Sequence, residues 1–258
     1  MTATGGAMLA LKLVLVPLFL VLVTLAARRW GPALAGWMAG LPVVTGPILV
    51  FVALEQGPVF AAQAAGAALS AVLSTVAVTV VYAHAAQRAR WPLALTLAFS
   101  AWALAAWLLS ILPDSLALSA VLAAVSLVVA PRLFPPGAAS GPVRHGGHGE
   151  LVLRMLAGAL LTLGVTYGAA TAGPRWSGLF AVFPIMSVVL AGFSHRAQGA
   201  AYAATLLRAL AAGLYSFAAF CLVAALMLPR TGLAAAFGAA VGAALATQAA
   251  TLRRRPRS

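Results

Sequence analysis

Acidic side chains are nearly absent: Glu55, Asp114 and Glu150 are the only three in 258 residues. Charged residues of both signs together reach 7%, where a soluble domain carries about 25%. With 64% apolar residues, such a chain cannot cover its own surface in water. A soluble enzyme, a disordered tail and a nucleic-acid reader are excluded on this ground. The single cysteine, Cys221, sits in an apolar run, so there is no disulfide framework and no thiolate metal site. A P-loop, a dinucleotide fingerprint, a catalytic dyad and paired carboxylates are also missing. His145 and His148 have no acid or thiol cluster around them. Neither a metal, a cofactor nor an enzymatic activity is therefore expected. What remains is an all-α polytopic membrane protein.

A membrane-spanning helix needs about 20 apolar residues. Nine stretches qualify: 8–27, 33–54, 58–84, 91–112, 115–131, 150–171, 175–195, 199–228 and 231–252. Turn or charge signals separate them, among them Arg28-Arg29, Gln56-Gly57-Pro58, Pro113-Asp114, Gly173-Pro174 and Pro229-Arg230. Residues 131–149, rich in Pro and Gly, read as a flexible linker.

The net charge of +13 is first of all a statement about topology. Threading nine spans puts Arg28, Arg29, Arg88, Arg90, Arg132, Arg144, Arg196 and the tail Arg253, Arg254, Arg255 and Arg257 on one side. The other side receives Arg175 and Arg230 with Glu55 and Asp114. The positive-inside rule then predicts an amino terminus outside and a carboxyl terminus in the cytoplasm. Re-entrant second and seventh segments would move Arg88, Arg90, Arg132 and Arg144 outside and destroy this asymmetry. The first span has no basic region ahead of it and Arg28-Arg29 behind it, so it reads as an uncleaved anchor.

The chain also repeats itself at a spacing of 142 residues. Gly31-Pro32 matches Gly173-Pro174, Gly36 matches Gly178, Pro42 matches Pro184, and Gln56-Gly57 matches Gln198-Gly199. Lys12 falls on Arg154 and Thr45 on Ser187. Four spans map onto four, and 115–131 has no counterpart. One unpaired span forces the second copy to cross in the opposite sense, predicting a 4+1+4 inverted-topology repeat. The expected divisions are 1–112, a first four-helix repeat; 113–131, an inverting helix; 132–149, a cytoplasmic linker; and 150–258, a second repeat with a basic tail. A duplicated scaffold without transport would share this plan.

Residues 150–252 resemble one unit of the GlpM family of small four-span bacterial inner-membrane proteins. The resemblance rests on Arg154, on Ser177-Gly178-Leu179-Phe180-Ala181-Val182-Phe183-Pro184, and on Arg196-Ala197-Gln198-Gly199. The first half carries a similar pattern in Ala35-Gly36-Trp37, Leu41-Pro42 and Glu55-Gln56-Gly57. The resemblance implies two dual-topology units fused through an inverting helix, a monomer containing an internal pseudo-dimer. It implies no substrate.

Candidate functional residues follow from the two proline-bearing spans. Pro42 and Pro184 each remove a helical hydrogen bond near mid-span, and Thr45 and Ser187 add hydroxyls one turn later. Either the pair are broken helices whose backbone lines a pathway, or each is a kink whose hydroxyl bonds its own helix. Lys12 and Arg154 lie one turn inside their spans and either snorkel to headgroups or form vestibule cations. Glu150 is placed to pair with Arg154 at i,i+4. Arg208 lies deeper and either faces the bundle interior or reaches the interface. Gln63, Tyr202, Thr205 and Tyr215 either line that interior or bond between helices. Gly36-x-x-x-Gly40, Gly164-x-x-x-Gly168 and Gly238-x-x-x-Gly242 predict close helix approach. Trp30, Trp91 and Trp176 are expected at membrane interfaces.

The expected function is a small-solute or ion transporter or channel with its pathway between the repeats. The cations would favour an anionic or neutral solute. The alternatives are a non-transporting scaffold supporting envelope or polysaccharide biosynthesis, and lipid handling. Membrane lipids and a small solute or ion are the expected partners, and nucleic acid is not.

Overall fold

The computed structural model describes residues 3–136, 148–171 and 183–253. Every regular element among them is an α-helix: α1 (Ala3–Ala39), α2 (Thr45–Gln56), α3 (Pro58–Ala86), α4 (Trp91–Ile111), α5 (Leu116–Leu133), α6 (His148–Thr171), α7 (Ile185–Gln198), α8 (Ala200–Met227) and α9 (Leu233–Arg253). Seven are long and apolar enough to cross a membrane; α2 and α7 are not. The chain is an integral membrane protein.

The expected second span, 33–54, is two helices. Residues 32–39 continue α1 past a corner at Gly31, non-helical residues 40–44 follow, and α2 then begins at Thr45. The cause is local. Pro42 has no N–H to continue the ladder, and Gly40 and Gly46 flank it. Of the expected seventh span, the described part is α7, which starts just after Pro184. Gly173, Arg175, Trp176 and Gly178 lie outside the described residues, as do His145 and the tail beyond Arg253.

Three helix-to-helix corners are made by one glycine each. Gly31 (φ 84°, ψ 174°), Gly57 (φ 88°, ψ 165°) and Gly199 (φ 93°, ψ 173°) share a backbone region that only glycine enters cheaply. Pro58, with its fixed φ and missing N–H, starts α3 directly after such a corner.

α3 and α8 pack on each other at the centre of the bundle. Leu69, Leu206, Leu207 and Leu210 are fully buried there or on the neighbouring faces. α2 and α4 pack on α3, α7 and α9 pack on α8, α5 contacts both central helices, and α1 lies against α6 and α8. The outward face is apolar as well: Val14, Leu18, Leu22 and Leu25 form an exposed stripe along α1. Water would penalise such a surface, and hydrocarbon does not. Trp30 and Trp91 stand exposed at helix ends, where interfacial tryptophans are favoured.

The glycine spacings divide sharply. A Cβ on Gly36 would lie 2.0 Å from the Leu206 carbonyl oxygen, and one on Gly40 would lie 2.3 Å from the Gly213 carbonyl carbon. Residues 32–39 thus cross α8 backbone to backbone. Gly164, Gly238 and Gly242 face open space instead. The spacing alone does not tell a packed face from a lipid face.

Candidate functional site

The break between residues 39 and 45 leaves the last carbonyls of one helix and the first amides of the next to find partners. Leu41 N–H bonds the Met38 carbonyl at 3.0 Å, and Gly46 N–H bonds the Pro42 carbonyl at 2.8 Å. Gln248 Nε2 on α9 donates to the Trp37 carbonyl at 3.1 Å, and Trp37 Nε1 donates to Thr251 Oγ1 at 3.0 Å. The C-terminal end of the half-helix is therefore tied to α9. Its continuation, α2, has Val44 at its cap position with no side-chain cap bond, and Thr45 is half-buried in its first turn.

The second proline also heads a helix, α7. Pro184 is buried at the start of α7, again without a side-chain cap, and Ser187 is buried in the first turn. Val188 N–H bonds the Pro184 carbonyl at 3.1 Å. Phe183 stacks on Phe99 with centroids 5.6 Å apart, and meets Trp102 edge-on at 4.9 Å. α4 thus supplies an aromatic wall at the head of α7. The two half-helices are not packed directly together among the described residues; they are joined through α3 and α8. A pathway between them would have to follow that central pair.

Arg154 is the most deeply placed charge among the described residues, with 5% of its side chain exposed. Its guanidinium pairs with Glu150 Oε1 at 2.5 Å, donates to Thr24 Oγ1 on α1 at 3.2 Å, and lies 5.8 Å above the Phe193 ring on α7. A buried cation needs such company, because desolvation of an unpaired charge is prohibitive. Arg154 does not snorkel; it is an interhelical clamp joining α1, α6 and α7. Its Nε has no hydrogen-bond partner among the described residues.

Tyr82, Ser194 and His195, which the sequence reading passed over, lie at the same end of the bundle. Tyr82 Oη lies 3.2 Å from His195 Nδ1, with the rings edge-on at 5.9 Å, which ties the end of α3 to the end of α7. Ser194 is 1% exposed, and its Oγ is also without a partner. Tyr202, one helix further on, is buried. Phe193 and His195 thus tie α7 to α6 and to α3, at the end of the bundle that carries Arg28, Arg88 and Arg196. Isolated Tyr and His in long apolar runs were the available signal. Which of them meet depends on the fold.

The other candidates separate from this cluster. Lys12 is half-buried on α1, and Gln63 and Gln56 are exposed at the opposite end of the bundle. Gln198 is half-buried beside the Gly199 corner. Arg208 is exposed on α8. It donates to the Pro135 carbonyl and covers the Phe134 ring at 5.6 Å, both just beyond α5. Of its two expected positions it takes the outward one. Tyr215 Oη bonds the Leu127 carbonyl at 2.9 Å, and Thr205 Oγ1 bonds its own helix at Ala201. Comparison with family models, with curated proteins and with solved structures finds no match to the chain.

Proposed function

We propose that the chain is a transporter or channel for a small anionic or neutral solute, built as a fused inverted repeat in a bacterial inner membrane. The observation that carries this reading is the pair of uncapped half-helix starts, at Thr45 and Ile185, beside the matched Pro42 and Pro184. Helix amino termini inside a membrane present partial positive charge, the feature that discontinuous helices of transporters offer an anionic group. Thr45 and Ser187 add a hydroxyl at each start.

Several features support the repeat. α3 and α8 begin at Pro58 and Ala200, and α4 and α9 begin at Trp91 and Leu233. Both pairs are 142 residues apart, the offset of the sequence matches. The corner glycines Gly57 and Gly199 share that offset and nearly the same φ and ψ. Packing follows the same exchange: α4 on α3 as α9 on α8, α2 on α3 as α7 on α8, and α4 on α7 as α9 on α2. α5 is left unmatched as the inverting element. The GlpM-like motifs agree with this plan, with the arginine-rich end cytoplasmic.

Reconstituted protein is the test. A screen of inorganic anions and small metabolites in proteoliposomes should find at least one solute with protein-dependent flux. Thr45→Ala with Ser187→Ala should lower that flux about tenfold, the equivalent of one or two hydrogen bonds. No flux for any solute would sink the reading. The apolar α3–α8 contact favours the scaffold alternative, which predicts that cysteines at 45 and 187 resist water-soluble thiol reagents in the folded protein.

A further inference from the structure

We propose that the chain carries a specific site for one anionic phospholipid, with its phosphate on Arg132 and Arg208 and one acyl chain in the groove between α3, α5 and α8. This site is separate from the half-helix starts and does not depend on transport.

The groove has a volume of about 190 Å³ and an apolar lining that includes Leu69, Ala124, Leu127, Val128, Tyr215 and Leu222. The tyrosine hydroxyl is already engaged by the Leu127 carbonyl, so the wall offers hydrocarbon only. Ala124 and Val128 are exposed, so the groove opens on the lipid-facing surface, where an acyl chain is the natural occupant of a hydrocarbon wall.

Charge complementarity identifies the head of the ligand. Arg208, Tyr215 and Leu222 follow at seven-residue steps on one face of α8, and Ala124, Val128 and Arg132 at four-residue steps on one face of α5. Both arginines are thus carried on the groove-lining faces, roughly 12 Å (Arg132) and roughly 16 Å (Arg208) along their helices from its middle. Arg208 bends to the exit of α5, where it covers Phe134 and bonds the Pro135 carbonyl. Arg132 holds the Val128 carbonyl at 3.2 Å. His84 Nε2, on α3, lies 2.7 Å from the Leu133 carbonyl at the same corner. All three groove helices therefore bring a basic side chain to one end.

No acid balances them. Glu150 is bound to Arg154, Asp114 precedes the opposite end of α5, and Glu55 ends α2. A guanidinium has five donors, and one from each arginine is used in the contacts above. The donors of Arg208 that the Pro135 carbonyl does not take remain open to an anion. A phosphate above an apolar groove is the chemistry of an anionic lipid, and basic pockets between spanning helices bind such headgroups. The site is also confined to one side of the molecule: α5 has no repeat counterpart, and the residue matched to Arg208 is Gly66.

Native mass spectrometry of the purified full chain tests this, with phosphatidylglycerol and phosphatidylcholine of identical acyl chains as probes. The protein should retain one phosphatidylglycerol about tenfold more tightly than phosphatidylcholine, the worth of one charge-assisted contact. Arg132→Gln with Arg208→Gln should abolish the preference. Ala124→Trp, which fills the groove and keeps both arginines, should abolish retention of either lipid. Soluble glycerol phosphate should not displace the lipid. Equal retention of the two lipids, an unchanged preference in the double variant, or displacement by glycerol phosphate would overturn the proposal. Arg132→Gln alone, which breaks only a contact to its own helix, provides the charge test if the double variant does not fold.

Discussion

Positions 12 and 154 stand 142 residues apart, and each puts a cation one turn inside an apolar helix; their surroundings differ. Arg154 is sealed among Glu150, Thr24 and Phe193, with Ser194, His195 and Tyr202 nearby on α7 and α8. Lys12 is only half-buried, and the residues matched to Glu150, Ser194, His195 and Tyr202 are Met8, Val52, Ala53 and Phe60. Thr24 and Phe193 do have polar or aromatic matches, Thr166 and Phe51. The two regions therefore differ in polar chemistry, which is concentrated at the arginine-rich end. A cation with a carboxylate, a hydroxyl and an aromatic face can be buried as a clamp; one without them stays near the edge.

The sharpest way to break this comparison is to remove one member of the ion pair. Glu150→Ala leaves Arg154 buried and uncompensated, and should cost about 3–5 kcal/mol. Lys12→Ala should cost about 1 kcal/mol or less, as for an exposed charge. Unfolding in detergent monitored by circular dichroism measures both. Adding Arg154→Met to Glu150→Ala should recover most of the loss, because the desolvated charge goes with it; no recovery would mean that the guanidinium acts through packing.

A second comparison sets the crossing at Gly36 against the free face of α9. Gly36→Ala drives a Cβ into the Leu206 carbonyl, and backbone cannot step aside cheaply, so a loss of about 3 kcal/mol is expected. Gly238→Ala meets nothing and should be neutral or stabilising by up to about 1 kcal/mol. Thermal midpoints of the two single variants decide between them, and equal midpoints would refute the close crossing.

The smallest expected effect tests the matched corners. Gly57→Ala and Gly199→Ala each force alanine into a backbone region that costs about 1–3 kcal/mol. Their losses should resemble one another, and a large effect at only one corner would show that the two halves no longer share the turn.

Much of the fold was legible because its causes are local. Pro42 between two glycines announces a break, Gly57-Pro58 a corner followed by a helix start, and Ser115, whose Oγ accepts from Leu118 N–H, the start of α5. The span 33–54 was legible as a hydrophobic stretch, but whether Pro42 kinks or breaks it was not, since hydropathy averages across a break that removes only a few hydrogen bonds. The sequence was also silent on the site's company. Nothing near Arg154 in sequence indicates Thr24, 130 residues away, and nothing near His195 indicates Tyr82. Gly164 and Gly238 show the same limit from the other side, having the spacing of a packed face without a partner on it.

The sequence by itself determined that this chain lives in a membrane, because 64% of its residues are apolar and only 7% charged, and water would not tolerate such a surface. It also determined where the helices break, because proline and glycine act on their own backbone. Only the tertiary structure decided which polar groups are buried together. Arg154 became a clamp and Arg208 an outward-facing cation because each charge is governed by what the other helices bring within a few ångströms, and chain order does not encode that distance.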